Sequence, residues 1–157
     1  MRFRNLSQKE LESLSDEFIQ FLVIQGIDDD LWRDINKEKP DQAIALVSLF
    51  SDTVLEKVYS KVNFLSFVSE QVFSIFKIER ETMHAVVVKN KSSRDPFKNL
   101  EHVLQSMESK TIEHEVFTAS RVLGNKILDE IHELTEKGCL VADEELWKRF
   151  ARYSKKK

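Results

Sequence analysis

The residues best suited to acid–base or metal chemistry are four histidines, each with an acid nearby in the sequence: Glu81 near His84, Glu101 beside His102, Glu113 and Glu115 around His114, and Glu133 beside His132. Two of them fit an acid-x-x-His spacing, Glu81–His84 and Asp129–His132. Such pairs on two helices of a bundle, with two further glutamates, form a di-iron carboxylate site. Glu81, His84, Asp129 and His132 are therefore the candidate metal ligands, and the spacing argues against them. Glu81–His84 falls where a strand is predicted to begin, and residues three apart on a strand point to opposite faces. Asp129–His132 lies on a predicted helix whose acids read as solvent-facing. His114 and His132 are 18 residues apart. On one continuous helix they would share a side but stand about 27 Å apart, too far to share a metal. Neither HExxH nor a Cys/His zinc spacing occurs. No catalytic residue, stoichiometric metal or cofactor is expected.

Other chemistries are equally thin. Cys139 follows Gly138 at a predicted helix C-terminus, where partial negative charge disfavours a thiolate, so a packed, inert thiol is expected. One cysteine excludes an intramolecular disulfide. There is no G-x-S-x-G, and three glycines in all leave nothing to cradle a nucleotide. Asp28-Asp29-Asp30 suggests calcium, but the alternating ligands, central Gly and distal Glu of an EF-hand loop are missing.

In the segment FKIERETMHAVVVKNKSSR, residues 76–94, three valines in a row follow a histidine and basic residues flank the run on both sides. Lys77, Arg80, Lys89, Lys91 and Arg94 are candidates for phosphate contacts at one end of a hairpin, with Phe73 and Phe76 as stacking surfaces. Residues 77–98 hold six bases and three acids, and residues 148–157 six bases and no acid. Residues 101–145 hold eleven acids and four bases, which opposes a continuous basic surface. Net charge is −3, so no global field draws the chain to nucleic acid or anionic lipid.

The elements that must position these residues read mostly as helices. A hydrophobic content of 41% is too high for disorder, and three Gly with two Pro are too few for an all-β sandwich. Ser7-Gln8-Lys9-Glu10 fits a capping box, with Leu6 and Leu11 as a hydrophobic staple. Leu11, Leu14, Phe18, Phe21 and Leu22 mark one face of a helix ended by Gly26. An aspartate of IDDDLW caps a second helix with Leu31, Trp32 and Ile35 on its apolar face. Pro40 opens a third, with Ala43, Ile44, Val47, Phe50, Val54, Val58 and Val62 at helical spacing and a possible interruption at Phe50–Thr53.

Val72–Ile78 and Thr82–Lys89 read as two strands joined around Glu79-Arg80-Glu81, with Asn63–Val68 as a third. The turn lacks Asn-Gly or Asp-Gly. Ala85–Val88 reads as a buried strand, so Val87→Asp is expected to be severely destabilising. A polar connection at 90–96 precedes a short helix from Pro96 to about Met107. A long helix is predicted from about Ile112, with Val116, Ala119, Leu123, Ile127, Ile131 and Leu134 inward and Gly138 closing it. Cys139–Val141 is an extended link. Asp143 caps a last helix bearing Leu146, Trp147, Phe150 and Tyr153.

The runs FIQFLVIQGIDDDLW, then Pro40, FSDTVLEKV and KGCLVADEELW resemble a family of small uncharacterised proteins from Bacteroidota-type bacteria. The resemblance covers most of the chain and rests on Gly26-Ile27, Trp32 and Phe50-Ser51-Asp52. It implies a small cytoplasmic bacterial protein and brings no activity, so it nominates no catalytic residue.

The expected fold is α+β, a mostly helical single domain of residues 1–157 with a small antiparallel sheet packed on helices and a flexible basic tail at 154–157. An all-helical bundle is the alternative. No apolar run approaches the roughly 20 residues that span a bilayer, and MRFRNLSQKE lacks the apolar run of a signal peptide, so a cytoplasmic protein without membrane contact is expected. The leading reading is a non-enzymatic interaction or adaptor module with a protein partner. A nucleic-acid binder using the basic hairpin and tail is the alternative, and an unrecognised metal-dependent enzyme the second.

Overall fold

The first backbone amides to need partners are those opening the first helix, and Ser7 and Glu10 meet them. In the computed structural model, which describes residues 2–154, Ser7 Oγ accepts from Glu10 N at 3.2 Å and Glu10 Oε1 accepts from Ser7 N at 2.9 Å. This capping box opens α1 (Gln8–Ser13). The helix predicted to run on to Gly26 is interrupted at Leu14, where φ −112 and ψ 25 leave the helical region, and α2 (Ser15–Ile24) begins after it. Ser13 Oγ donates to the Glu10 carbonyl, the kind of local bond that competes with helix continuation. Gly26 at φ 80 closes α2 as expected.

The chain divides into two compact units, Met1–Ser60 and Lys61–Lys157. In the first, Asp28 caps α3 (Asp29–Glu38) by accepting from Leu31 N at 2.8 Å, and Pro40 opens α4 (Pro40–Ser60). Phe18 packs edge-on against Trp32 and Phe50, with ring centroids 5.2 and 4.9 Å apart. The buried side of α4 is Ala43, Phe50, Ser51, Leu55 and Tyr59, whereas Ile44 and Val58, expected inside, are 59% and 50% exposed. Ser51 and Asp52 do not interrupt the helix. Ser51 Oγ takes the Leu6 amide at 3.0 Å and donates to the Val47 carbonyl, and Asp52 takes the amides of Arg2 and Phe3 at 2.7 and 3.0 Å. Two short polar side chains thus hold the segment before α1.

The second unit is built on a five-stranded antiparallel sheet in the order β4-β3-β2-β1-β5: β1 (Phe64–Val68), β2 (Val72–Glu79), β3 (Thr82–Asn90), β4 (His114–Val122) and β5 (Leu140–Val141). With its helices the chain is α+β and mostly helical, as expected. The β2–β3 turn places Arg80 at φ 58, in the left-handed region, where the sequence offers no glycine. On one face Phe73, Ile75, Val86, Val88 and Val116 join Val103 and Met107 of α5 (Leu100–Ser109) and Phe150 of α7 (Glu144–Ser154) in one core. Asp143 caps α7 by accepting from Leu146 N at 2.8 Å. Of the expected tail, Ser154 ends α7, and residues 155–157 lie outside the described residues.

The long helix expected from Ile112 is not formed. Residues 114–122 are β4, Gly124–Lys126 is a 3₁₀ turn, and α6 runs Ile127–Glu136. Val116, Ala119 and Leu123 fit a helical spacing, but Val116, Phe117, Thr118 and Val122 favour strand, and pairing with β3 along nine residues decides it. Gly124 at φ 60 then breaks the chain ahead of α6. The short helix expected from Pro96 starts four residues later, at Leu100, where Asn99 accepts from His102 N at 2.8 Å.

Candidate functional site

The four candidate metal ligands are divided between the β2–β3 turn, β3 and α6. Glu81 is exposed in the β2–β3 turn, and its carbonyl accepts from Leu123 N and Gly124 N at 2.8 and 3.2 Å. His84 is on β3, and Asp129 and His132 are on α6. Among the described residues no three His, Cys, Asp or Glu side chains are grouped to hold a metal ion, so the two acid-x-x-His pairs are not joined into one site. His114 and His132 are not on one helix either, since β4 carries the first and α6 the second. Cys139 is buried, and burial pushes its thiol above the usual range, with Lys137 opposing.

The five basic candidates do not gather at one end of the hairpin. Lys77 and Arg80 lie toward the turn, whereas Lys89 pairs with Val72 at the opposite end, followed by Lys91 and Arg94. Five residues of strand separate Val72 from Lys77, about 17 Å at 3.3 Å per residue. Lys91 forms an ion pair with Glu115, whose hydrogen bond and charge raise the ammonium's pKa. Lys77 lies 3.9 Å from Glu79. Phe73 is fully buried in the core and offers no stacking surface.

One constellation escaped the sequence reading. Ser120 Oγ lies 2.7 Å from His84 Nδ1, and His84 Nε2 lies 3.5 Å from Glu79 Oε2. Hydroxyl, imidazole and carboxylate in series is the order of a nucleophile, a base and its orienting acid. In a working triad that acid is buried and fixes the imidazole. Here the Glu79 side chain is 60% exposed and shared with Lys77. His84 and Ser120 are direct cross-strand partners, 36 residues apart, so the arrangement accounts for itself as a tie between β3 and β4.

A stronger feature is the outer side of β4. Lys91 N donates to Glu113 O just beyond one end of the β3–β4 ladder, and Leu123 N donates to Glu81 O just beyond the other, both at 2.8 Å. Antiparallel bonding alternates residue by residue. The odd-numbered residues from 113 to 123 therefore face β3, and the N–H and C=O groups of His114, Val116, Thr118, Ser120 and Val122 face outward. The register runs one-to-one from Asn90↔His114 to Thr82↔Val122, so no bulge twists this edge away. No proline blocks it. From Phe117 to Val122 every residue is exposed, with Phe117 at 45% and Val122 at 77%. Natural sheets blunt such edges with short strands, bulges or prolines. The opposite edge is blunted in this way, since β5 is two residues long. The signal was present in the sequence as alternation: Val116, Thr118, Ser120 and Val122 on one side, Glu115, Phe117, Ala119 and Arg121 on the other.

Fold and edge together define an α+β chain whose sheet is closed by helices and a two-residue strand but open along β4. It belongs to a family of unknown function, DUF6495, whose model matches residues 1–155. No curated protein and no solved structure matches it. Among the described residues no helix is long and apolar enough to cross a membrane.

Proposed function

We propose that this chain is a non-enzymatic protein-interaction module that accepts an extended strand along the free edge of β4. The single observation that carries this reading is the uninterrupted row of outward backbone groups at His114, Val116, Thr118, Ser120 and Val122. Strand addition draws its affinity from such main-chain bonds and its selectivity from alternate side chains. Each such bond contributes about 0.5–1.5 kcal/mol net, and side-chain contacts beside the edge must add to them to offset the cost of association. A cytoplasmic location in a Bacteroidota-type bacterium belongs to the same proposal, supported by the sequence resemblance and by the absence of disulfide-forming cysteine pairs.

Thr118→Pro tests the reading. Its N–H faces outward, so proline there removes an edge donor without breaking the β3–β4 ladder. The chain should retain a partner from the native cell, and the amides of Val116, Thr118, Ser120 and Val122 should exchange with deuterium more slowly in that complex. Thr118→Pro should release the partner while leaving the circular dichroism unchanged. Undiminished retention by Thr118→Pro would sink the proposal.

A further inference from the structure

We infer that the strand received by the β4 edge is β4 of a second copy of this chain, paired antiparallel about Thr118. The inference rests on the reading that this edge is the contact surface, and it names the occupant.

An antiparallel pair related by a two-fold axis at Thr118 brings all nine residues of β4 into register. Thr118 meets Thr118, Val116 meets Ser120, and His114 meets Val122. These are the residues whose backbone groups face outward, so each pair is placed to exchange hydrogen bonds, with the exposed run Phe117–Val122 of each copy at the centre and Val116 the most covered member. The intervening pairs set Glu115 against Arg121 and Phe117 against Ala119. They are the non-bonded pairs, in which side chains approach most closely. Opposite charges therefore meet at both ends of the contact, and the exposed Phe117 ring lies beside a small side chain. Centring the axis on residues 116, 117 or 119 shortens the overlap and separates Glu115 from Arg121.

The charges around these pairs extend the match. Within one chain Glu115 is paired with Lys91, and Arg121 with Glu130 at 3.2 Å. Pairing about Thr118 lines up Lys91, Glu115, Arg121 of the second copy and Glu130 of the second copy. Base and acid alternate along that row, and the two-fold axis repeats the row at the other end. A self-complementary patch of this kind is what an isologous dimer requires. Joining two β4 edges makes one continuous sheet from two five-stranded ones and removes the open edge of each.

Sedimentation velocity tests the inference directly. The wild-type chain should sediment at twice its 18.4 kDa mass. Thr118→Pro should sediment as a folded monomer. Arg121→Glu sets Glu115 against a glutamate, and Glu115→Arg sets Arg121 against an arginine, so each alone should also be monomeric. Mixing these two variants restores both opposite-charge pairs, and a heterodimer should form. A role of either residue confined to its own chain predicts no such recovery. A monomeric wild type, a dimer that survives Thr118→Pro, or a mixture that stays monomeric would each overturn the inference. If the wild type is monomeric but holds another protein in a Thr118-dependent way, the second copy is the wrong occupant and the interaction edge stands. If it is monomeric and holds nothing at that edge, both fall.

Discussion

The two units of this chain both meet loose amides with side chains, and they differ in what their regular structure leaves over. In residues 2–60 amides outside regular bonding are met by side chains: Ser7 and Asp28 cap helices, Ser51 takes the Leu6 amide, and Asp52 takes those of Arg2 and Phe3. In residues 61–154 Asn99 and Asp143 cap helices in the same way, but five strands pair backbone to backbone, and a ladder always ends at an edge. One edge of this sheet ends at two residues and the other at nine. The first unit has no strand edge among its described residues, whereas the second leaves the outward groups of β4 without a sheet partner. Since unpaired edges are a liability that natural sheets suppress, an edge left long and unbulged points to an occupant.

The largest effect expected from breaking this arrangement is in the sheet core. Val88 is fully buried against α5 and α7, so Val88→Asp places a carboxylate where it has no partner and should cost more than about 4 kcal/mol, enough to abolish cooperative folding. Val87 is its neighbour but sits on the other face, half-buried. The severe loss foreseen for Val87→Asp therefore moves one residue along, and Val87→Asp should cost roughly 1–3 kcal/mol. Urea denaturation of the two variants checks this. Equal losses would mean that both faces are equally closed to water.

Next in size are two buried serines that look alike in burial and differ in partners. Ser51 accepts a backbone amide from a residue 45 positions away, so Ser51→Ala leaves the Leu6 N–H buried and unpaired, at a cost of about 1–3 kcal/mol. Ser106 only donates to the His102 carbonyl one turn earlier in α5, so Ser106→Ala should cost less than about 1 kcal/mol. Thermal melting of the pair checks the contrast. An equal or larger loss at Ser106 would contradict the view that side-chain bonds to the backbone hold the first unit.

What the sequence disclosed follows the same division. Ser7, Asp143, Gly26 and Gly138 are local signals that do their predicted work within a few residues of themselves, and of the three aspartates offered as a cap it is Asp28 that serves. The β2–β3 hairpin was legible because its partners are adjacent in the chain. β4 was not legible, because Val116, Ala119 and Leu123 satisfy helical spacing and the partner that selects strand lies about 30 residues away in β3. The candidate site was lost with it: Ser120 beside His84, the open edge, and the division of the basic residues between two ends all depend on strand register. The burial along α4 was misjudged for a related reason. Ile44, Ser51 and Val58 are seven residues apart and share one face of the helix, yet only Ser51, which takes the distant Leu6 amide, is buried there.

The hairpin turn gives a smaller effect of opposite sign. Arg80 is held at φ 58, where a side chain crowds the backbone by about 1 kcal/mol or slightly more. Arg80→Gly relieves that strain and should raise the melting temperature, with the gain confined to the sheet unit. An unchanged or lower melting temperature would show that the Arg80 side chain compensates for its conformation.

The smallest expected effect is a pH dependence belonging to the first unit alone. Arg4 Nη1 and Nη2 donate to the two Glu10 carboxylate oxygens at 2.9 and 3.1 Å, and the Ser7 amide donates to one of them. These bonds, with the Arg4 side chain first, pull the Glu10 pKa from 4.5 to about 2. A carboxyl depressed in the folded state adds stability that is fully present above its unfolded pKa. That stability is lost as pH falls from about 4.5 toward 2. Glu10 is 41% exposed, so water screens the pair and the contribution should stay below about 1 kcal/mol. Glu10→Gln keeps a group able to cap Ser7 but removes the charge. The wild type should therefore lose protection at the α1 amides across this window, and Glu10→Gln should show a flatter profile. Amides of β2 and β3 should show no difference between the two proteins. If the sheet amides follow the Glu10 titration as closely as those of α1, the two units are not stabilised by separate sets of bonds.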